Sequence, residues 1–292
     1  MGTRIYNFNQ NFLNELDKEE KAYFLGLMFS DGCVYKNKDW ESYSIKIGQV
    51  EENKDIIYKI NELLESDYPI YTTLTGSKLF YNLEFKSKQM YEDLNKYGVS
   101  SCKSLVCKFP DFIPRELMPH FIRGLFDGDG CVWEGKRKIM KVKDTTKESG
   151  YRERIVHNVK FTYTGNFNFV NSLQDYLVNV LGFKKTKLNF SKAKESKHIC
   201  TMEYSGRNQL KLFYNYIYKD ASVYMERKKL KFEKIFCALD EKSSKDIALT
   251  AGTPEMAISN QALEENSSIE GSTTIPEMGV ESSDSKCAAP NR

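Results

Sequence analysis

Two stretches of the chain carry the same pattern of apolar and small residues. Residues 24–32 are Phe-Leu-Gly-Leu-Met-Phe-Ser-Asp-Gly, residues 122–130 are Ile-Arg-Gly-Leu-Phe-Asp-Gly-Asp-Gly, and Cys-Val follows both. A half-buried strand would alternate apolar and polar positions, whereas apolar residues crowded around a glycine are typical of a buried helix. Small residues one turn apart let two helix backbones approach closely. The pattern predicts a helix pair that packs through Gly26, Ser30, Gly124 and Gly128.

The same order of predicted elements follows each of these helices. Strands alternate in residues 43–47 and 159–163, and amphipathic helices follow at 55–64 and 169–181. A second pair of strands and a helix complete each half, with a long basic connection at 134–158 in the second half. A repeat of about 100 residues indicates two copies of one unit rather than a solenoid. The predicted domains are an N-terminal arm (1–14), two repeats (15–110 and 111–237) and a disordered tail (238–292).

Both helices end in Asp-Gly, and we expect the glycine to supply a left-handed cap. The helix C-terminus carries partial negative charge, so Asp31 and Asp129 are unfavourable there, and they repel each other if the helices pack side by side. A divalent cation prefers such hard oxygen ligands. We therefore predict a metal site at Asp31 and Asp129, to which the backbone carbonyls of Gly32 and Gly130 could add.

Charge and composition narrow the possible partners. The net charge of +3 hides an asymmetry, because residues 240–292 carry ten acidic and four basic residues, leaving 39 basic and 30 acidic residues before them. A basic folded body suits a polyanion such as nucleic acid, although a merely soluble basic surface fits the charge equally well. The tail has no aromatic residue and is rich in Ser, Glu, Thr, Ala and Pro, which predicts disorder.

Cysteine and histidine usage argues against a zinc centre. The seven cysteines are scattered, and the three histidines lie far apart in the sequence. Neither makes a zinc-ligand spacing, and scattered thiols are typical of a reducing, intracellular setting. The N-terminus lacks the apolar core of a signal peptide, and no apolar run approaches about 18 residues. We expect an intracellular protein, in the cytoplasm or an organelle, that contacts no membrane.

The two stretches resemble the paired motifs of LAGLIDADG homing endonucleases, in the form that carries both motifs in one chain. The resemblance covers about residues 15–236. It departs at the sixth motif position, where Asp127 in the second copy corresponds to Phe29 in the first. The resemblance implies an α+β fold of two pseudo-symmetric αββαββα repeats. In that fold each repeat has a curved four-stranded antiparallel sheet with helices on one face, and the two motif helices pack at the centre.

The same resemblance implies a function and further site residues. The implied function is cleavage of double-stranded DNA at one long asymmetric site. The implied enzyme is an intron-encoded monomer that uses Mg²⁺ or Mn²⁺. Residues 98–104 resemble the segment that places a catalytic lysine, which suggests Lys103, and residues 224–228 resemble its counterpart, which suggests Lys228. Gln49 matches a glutamine that orients water, whereas the second half has Thr-Gly-Asn at 164–166. Alternatively, Lys103 and Lys228 are merely solvated lysines near helix ends.

The open face of each sheet is the predicted DNA-binding surface. Lys, Asn, Thr and Glu side chains there can contact base edges in the major groove, and lysines neutralise phosphates. An open face of an antiparallel sheet can also simply meet water. With the basic connection, the predicted DNA-binding residues are Ser44, Lys46, Asn82, Glu84, Lys86, Lys136, Arg137, Lys141, Lys160, Thr162, Lys187, Asn189 and Glu203.

The sequence leaves three alternatives open. Glu84-Phe85-Lys86 looks like the Glu-x-Lys of restriction-type nucleases, but the second half has Glu203-Tyr204-Ser205. The same fold also serves as an RNA maturase that binds intron RNA, or as a non-cleaving DNA-binding regulator. Retention of both motif aspartates favours cleavage over these two. An intein origin would need splicing residues, and residue 1 is neither Cys nor Ser.

Overall fold

The first repeat begins with the buried motif helix and continues as the alternation of the sequence predicts. In the computed structural model its elements are α1 (Glu19–Ser30), β1 (Cys33–Asn37), β2 (Ser42–Val50), α2 (Lys54–Leu63), β3 (Tyr71–Thr75), β4 (Lys78–Lys86) and α3 (Lys88–Lys96). A single 3-10 turn, Glu51–Asn53, joins β2 to α2. The structure describes residues 5–37, 41–101, 107–143, 146, 148, 150–191 and 197–251.

The second repeat follows the same order. Its elements are α4 (Met118–Asp129), β5 (Gly130–Lys143), β6 (Tyr151–Asn166), α5 (Phe167–Leu181), β7 (Asn189–Phe190), β8 (Ile199–Ser205), α6 (Arg207–Tyr218) and α7 (Glu226–Ala251). Both repeats belong to one compact unit, Met1–Asp246. Within the described ranges, no helix is both long enough and apolar enough to cross a membrane.

The two repeats build sheets of identical topology. The strand orders are β1-β2-β4-β3 and β5-β6-β8-β7. All pairings are antiparallel, and the registers correspond, because Lys46 pairs with Glu84 where Thr162 pairs with Glu203. The predicted α+β class and the two-repeat arrangement are therefore confirmed.

Alternate residues of each sheet face the helices and form the core. In the first sheet Ile45 and Leu83 are fully buried, and in the second sheet Phe161 is stacked on Phe213 of α6 with ring centroids 4.0 Å apart. Aromatic rings of this size contribute much of the apolar area that a core removes from water. The other face of each sheet keeps the polar residues, as a period of two requires.

The two motif helices touch through their glycines. A Cβ atom built on Gly26 would lie 2.1 Å from the backbone oxygen of Phe121, and one built on Gly124 would lie 2.1 Å from the backbone oxygen of Tyr23. Neither neighbour can move without separating the helix backbones. One turn further along α4, a Cβ atom on Gly128 would lie 1.9 Å from Ser30 Oγ. The close approach of the backbones explains why glycine occupies these helix positions despite its cost of about 1 kcal/mol there.

The glycine caps differ from the sequence prediction. Gly130 has φ of −75°, and Gly32 is not among the glycines with positive φ. Glycine is instead required for space, because a Cβ atom would lie 2.4 Å from the Met28 side chain at Gly32 and 2.1 Å from the Phe126 ring at Gly130. Each motif helix therefore leads directly into the first strand of its sheet, and each aspartate is held at that junction.

The predicted connection at 134–158 is wrong, because most of it is a long β-hairpin. Strand β5 continues to Lys143, and β6 begins at Tyr151. Ile139, Val142, Ile155 and Val156 lie in these strand segments, and β-branched residues favour the extended backbone. Lys136, Arg137 and Lys141 are therefore strand residues rather than loop residues.

Two further boundaries differ from the prediction. Strand β7 covers only Asn189–Phe190, so Lys187 precedes the strand and is exposed. Helix α7 continues to Ala251, past the predicted start of the tail at residue 238. Its last turns contain Lys, Glu, Ala and Leu, which are strong helix formers. The rest of the predicted tail, 252–292, lies outside the described residues.

Candidate active site and nucleic-acid face

The two motif aspartates lie at neighbouring helix ends. Asp31 follows the last residue of α1, and Asp129 is the last residue of α4. A Cβ atom on Gly128, next to Asp129, would lie 2.7 Å from Asp31 Oδ2. Both carboxylates also act electrostatically on the same two groups, Lys228 and Tyr163. The fold thus brings together two carboxylates that are 98 residues apart in the sequence.

Asp31 is held by a glutamine from the first sheet. Gln49 is on the same face of β2 as Ile45 and Ile47, so its side chain reaches from the end of the strand toward α1. Its Nε2 donates to Asp31 Oδ2 at 2.5 Å, and its Oε1 accepts from Asn53 Nδ2 at 3.1 Å. Asn53 Oδ1 in turn accepts from Nε of Arg227 at 2.7 Å.

Asp129 faces a cavity of about 220 Å³ between the repeats. Ser30 and Phe29 of α1 line one side, and Thr164 and Gly165 of β6 line another. Thr162 of β6 corresponds to Lys46 of β2, because they pair with Glu203 and Glu84. Gly165, three residues further along β6, therefore corresponds to Gln49. No side-chain amide therefore reaches Asp129 from that position.

Lys228 caps the end of α4. Its Nζ donates to the carbonyl oxygens of Phe126, Gly128 and Gly130 at 2.7, 2.9 and 2.7 Å. Burial lowers the pKa of Lys228 to about 8, although nearby carboxylates oppose the shift. The ammonium neutralises the negative end of the helix dipole. Its bond to the carbonyl oxygen of Gly130 uses one of the two acceptor positions of that oxygen, and a metal-binding role for the carbonyls of Gly32 and Gly130 stays a prediction.

The outer faces of the two sheets carry matching clusters of an aromatic residue, a glutamate and a lysine. In the first sheet, Tyr35 Oη and Lys86 Nζ donate to Glu84 Oε1 at 2.8 and 2.5 Å. Lys86 Nζ lies 5.5 Å from the centre of the Tyr35 ring and also donates to Ser44 Oγ. Burial would raise the pKa of Glu84, but these hydrogen bonds outweigh it and leave the pKa below its usual value.

The second cluster reaches the same arrangement with a lysine from another strand. Lys160 Nζ donates to Glu203 Oε2 at 2.7 Å and lies 5.4 Å from the Trp133 ring. Lys160 pairs with Trp133 as Ser44 pairs with Tyr35, so Lys160 stands at the position of Ser44. The lysine of the cluster therefore comes from β4 in the first sheet and from β6 in the second. Both sheets therefore present a cation and a carboxylate beside an exposed aromatic ring.

Two glycine-lined helices thus meet between two equivalent sheets and end side by side in aspartate, as the sequence resemblance implied. The chain has the two-repeat LAGLIDADG fold. This fold is confirmed by the strand order and register of the two halves and by the backbone contacts of the helix pair.

Comparisons with known proteins give distant similarities. The chain is similar to the LAGLIDADG homing endonuclease I-LtrWI bound to target DNA (14% identity, 82% of this chain and 93% of that chain, TM-score 0.49). It is also similar to the LAGLIDADG meganucleases I-CpaMI (12%, 81% and 96%, 0.49) and I-AabMI (16%, 76% and 91%, 0.47), each bound to uncleaved DNA. These values are too low to transfer a function, which has to rest on the residues of this chain.

Sequence comparison adds one partial match. A segment of 130 residues is 30% identical to DNA-directed RNA polymerase subunit Rpo1C of Methanocaldococcus jannaschii, and it covers 44% of this chain and 14% of that protein. The chain thus spans about one seventh of that relative. No protein-family model matches this chain.

A buried polar cluster beneath α4 contains residues that the sequence did not single out as functional. Asp127, fully buried, accepts from Tyr23 Oη at 2.9 Å, Tyr218 Oη at 2.6 Å and Met225 N at 2.7 Å. Burial raises the pKa of Asp127, and these hydrogen bonds oppose the shift. The carboxylate holds the segment that leads into α7 and so places Lys228. The sequence signal was a pair of charged residues, Arg123 and Asp127, within a motif that is apolar at most other positions.

Arg123 anchors the same segment. It is fully buried, and its guanidinium donates to the carbonyl oxygens of Val223 and Ile217, both at 2.8 Å, and to Glu19 Oε1 at 2.7 Å. A buried charge is tolerated only when paired and hydrogen-bonded, as it is here. Burial lowers the pKa of Arg123, while Glu19 opposes that effect. The motif helices are thereby joined to the start of α7.

The remaining predicted site residues fall into three groups. Ser44 and Asn82 are buried within the first sheet, where Asn82 donates to Thr73 Oγ1, so neither offers a free edge to a partner. The exposed or half-buried set consists of Lys46, Glu84, Lys86, Lys136, Lys160, Thr162, Lys187, Asn189 and Glu203. Lys103 and the side chains of Arg137 and Lys141 lie outside the described residues. The described part contains no cluster of three or more His, Cys, Asp or Glu side chains suited to a metal.

Proposed function

We propose that this chain is a LAGLIDADG homing endonuclease that cleaves double-stranded DNA at a specific site. The observation that carries the proposal is the pair of aspartates at the joined helix ends, flanked by two sheets that carry lysines on their outer faces. A carboxylate at a helix C-terminus is unfavourable without a compensating cation. Two such residues at adjoining helix ends are better explained by chemistry than by stability.

The donor set fits a divalent cation such as Mg²⁺ or Mn²⁺. Asp31 and Asp129 offer hard oxygen ligands, and Mg²⁺ is commonly held by one or two carboxylates together with water and substrate phosphates. A protein cage of three or more ligands is therefore not required. When bound, the cation supplies positive charge that stabilises the phosphodiester as negative charge develops during hydrolysis.

The residues around the aspartates fix the carboxylates and supply positive charge for a phosphodiester substrate. Gln49 holds Asp31 in one orientation, and Ser30 keeps the adjoining turn of α1 intact by donating to the Leu27 carbonyl at 3.1 Å. Lys228 contributes a fixed positive charge beneath Asp129. Because all three of its donors bind backbone carbonyls, its role is electrostatic rather than proton transfer to the leaving group. We assign each helix end to one DNA strand.

The sheets supply affinity and sequence preference. In this proposal the repeats 15–110 and 111–237 each bind one half of an asymmetric site, and a single chain suffices because it contains both halves. Lys46, Lys86 and Lys160 neutralise phosphates, which makes binding fall as salt rises. Glu84 and Glu203 accept hydrogen bonds from base amino groups in the major groove.

A selection from random DNA tests the proposal and identifies the target sequence in the same experiment. The purified chain is incubated with a library of randomised duplexes and Mg²⁺, and the ends of cut molecules are sequenced. We expect one long sequence to be enriched, with no cutting when EDTA replaces Mg²⁺. Asp31→Asn and Asp129→Asn should abolish cutting while binding to the selected duplex persists.

Two outcomes would contradict the proposal. Cutting that continues in both aspartate variants would remove the aspartates from the chemistry. Enrichment of a bound sequence with no cutting by the unmodified chain would instead favour a non-cleaving regulator. Glu116→Gln is the matched control and should cut normally, because Glu116 is an exposed acidic residue just before α4, at the opposite end of that helix from Asp129.

A further inference from the structure

A chain of three side chains leads from Asp31 into the second repeat. It runs from Asp31 Oδ2 through Gln49 and Asn53 to Arg227, with contacts of 2.5, 3.1 and 2.7 Å. We propose that Asn53 and Arg227 are positioning residues that fix which end of the Gln49 amide faces Asp31. This inference rests on the proposed function for its effect on cleavage, but not for the geometry itself.

The chemistry at the two ends dictates the direction of the chain. An arginine can only donate hydrogen bonds and an ionised carboxylate can only accept them, whereas an amide side chain does both. Arg227 therefore turns the oxygen of Asn53 toward itself, which leaves the Asn53 nitrogen to donate to Gln49. The oxygen of Gln49 is then occupied, and only its nitrogen can face Asp31.

Burial makes this orientation firm. Gln49 and Asn53 are 7% and 6% exposed, so water offers little replacement for a lost partner. If the Gln49 amide reversed, its oxygen would face the carboxylate of Asp31 and its nitrogen would face the nitrogen of Asn53. Buried polar groups without a suitable partner are costly, so one orientation dominates.

The arrangement joins the two repeats at one helix start. Asn53 belongs to the turn after β2 of the first repeat, whereas Arg227 lies in the first turn of α7 in the second. The next residue along α7 is Lys228, which serves the Asp129 end. At the Asp129 end, Gly165 stands at the position equivalent to Gln49, and the adjacent Asn166 accepts from Phe169 N as the N-cap of α5. Loss of Arg227 should therefore affect the two ends unequally.

The first experiment observes the Gln49 amide directly and needs no DNA. Side-chain ¹⁵N–¹H resonances of glutamine are recorded for the unmodified chain, and that of Gln49 is assigned by its loss in Gln49→Glu. Asn53→Asp removes the donor to Gln49 but keeps the acceptor for Arg227. We expect the Gln49 amide protons to shift and to lose protection from solvent exchange in Asn53→Asp and in Arg227→Ala. Asn61→Asp is the matched control, because Asn61 lies near the other end of α2 and donates to the Tyr68 carbonyl.

The second experiment measures each strand separately on the selected duplex, labelled differently on its two strands. Supporting side chains behind metal ligands commonly change activity by about tenfold or more. We expect Arg227→Ala to slow cutting of one strand by about tenfold and the other by less than twofold. Arg227→Lys retains a donor and should restore most of that rate.

The outcomes separate this inference from the proposed function. An unmodified chain that cuts neither strand overturns the proposed function, while the resonances of Gln49 still decide the inference. Unchanged Gln49 resonances in both Asn53→Asp and Arg227→Ala would overturn the inference, as would equal slowing of both strands by Arg227→Ala.

Discussion

The two ends of the central helix pair share an aspartate but differ in what surrounds it. At the Asp31 end, an amide chain fixes the carboxylate from the side of the first sheet. At the Asp129 end, an ammonium group fixes the backbone beneath the carboxylate, and the side chain faces a cavity. The amide chain holds the Asp31 carboxylate itself, whereas the ammonium of Lys228 stabilises the helix terminus that carries Asp129.

The sixth motif position shows the same divergence. Phe29 packs edge-on against Phe121 with ring centroids 5.2 Å apart, whereas Asp127 accepts three buried hydrogen bonds that hold the segment before α7. Helix packing is therefore kept in both copies, while the polar support has been rebuilt separately around each aspartate. The symmetry of the two repeats therefore lies in the backbone and the glycines rather than in the supporting side chains.

The largest effect should come from breaking what both ends share. Gly124→Leu places side-chain atoms where the Tyr23 carbonyl lies and forces the helices apart. We expect the free energy of unfolding to fall by more than about 3 kcal/mol, or the chain not to fold. Chemical denaturation followed by circular dichroism measures this. Tyr58→Leu, at an exposed position of α2, is the control, and a Gly124→Leu chain as stable as that control would contradict the packing described here.

The next largest effect concerns only the Asp129 end. Lys228 has a pKa of about 8 in the fold and about 10.4 when unfolded, so above pH 8 the unfolded chain keeps a proton that the folded chain has lost. The free energy of unfolding should therefore rise with pH, by about 1.5 kcal/mol between pH 8 and 9.5. Because buried tyrosines titrate above this range with the opposite sign, the comparison is with Lys228→Met, measured without divalent cations. Equal slopes in the two chains would show that Lys228 is not the group responsible.

A smaller effect should follow when the first end is made to resemble the second. Gln49→Gly reproduces at Asp31 the residue that Gly165 supplies beside Asp129. We expect cutting of the strand assigned to Asp31 to slow by about tenfold, measured on the doubly labelled duplex. Gly165→Ala adds a single methyl group at the other end and should leave the Asp31 strand unaffected. Equal slowing of the two strands in Gln49→Gly, relative to the unmodified chain, would remove the distinction between the ends.

The smallest effects should arise on the sheet faces, where the two halves agree most closely. Glu84→Gln and Glu203→Gln each weaken a partly exposed ion pair, which contributes about 1 kcal/mol or less to stability. We expect each variant to change the preferred base at one position of its own half-site, at matched distances from the centre. Repeating the duplex selection with each variant checks this. Changes at unmatched positions would mean that the two clusters are not equivalent.

Much of the fold follows from patterns visible in the sequence. The paired motifs predicted the helix pair, because only small residues permit such an approach, and strand alternation predicted both sheets. The hairpin of β5 and β6 was missed because its lysines and arginines mask the β-branched positions between them. The glycine caps were misread because a glycine needed for space and one needed for positive φ look the same in a sequence.

The site was predictable only where it is local. Asp31 and Asp129 follow from their motifs, and the sequence match to Gln49 led to a residue that contacts Asp31. Asn53 and Arg227 were not found, because they are 174 residues apart and meet only through the packing of the two repeats. No sequence pattern indicated that Lys228 would donate all three of its hydrogen bonds to backbone carbonyls.

Locating a divalent ion in a complex with DNA would show whether the joined helix ends form the catalytic centre. Crystals of the chain with its selected duplex, grown with Mn²⁺, would give an anomalous scattering map. We expect Mn²⁺ bound by carboxylate oxygens of both Asp31 and Asp129, with DNA phosphates completing its ligands. A duplex seated on the sheets with Mn²⁺ held elsewhere, in a chain that still cuts DNA, would contradict the assignment of the helix ends as the catalytic centre.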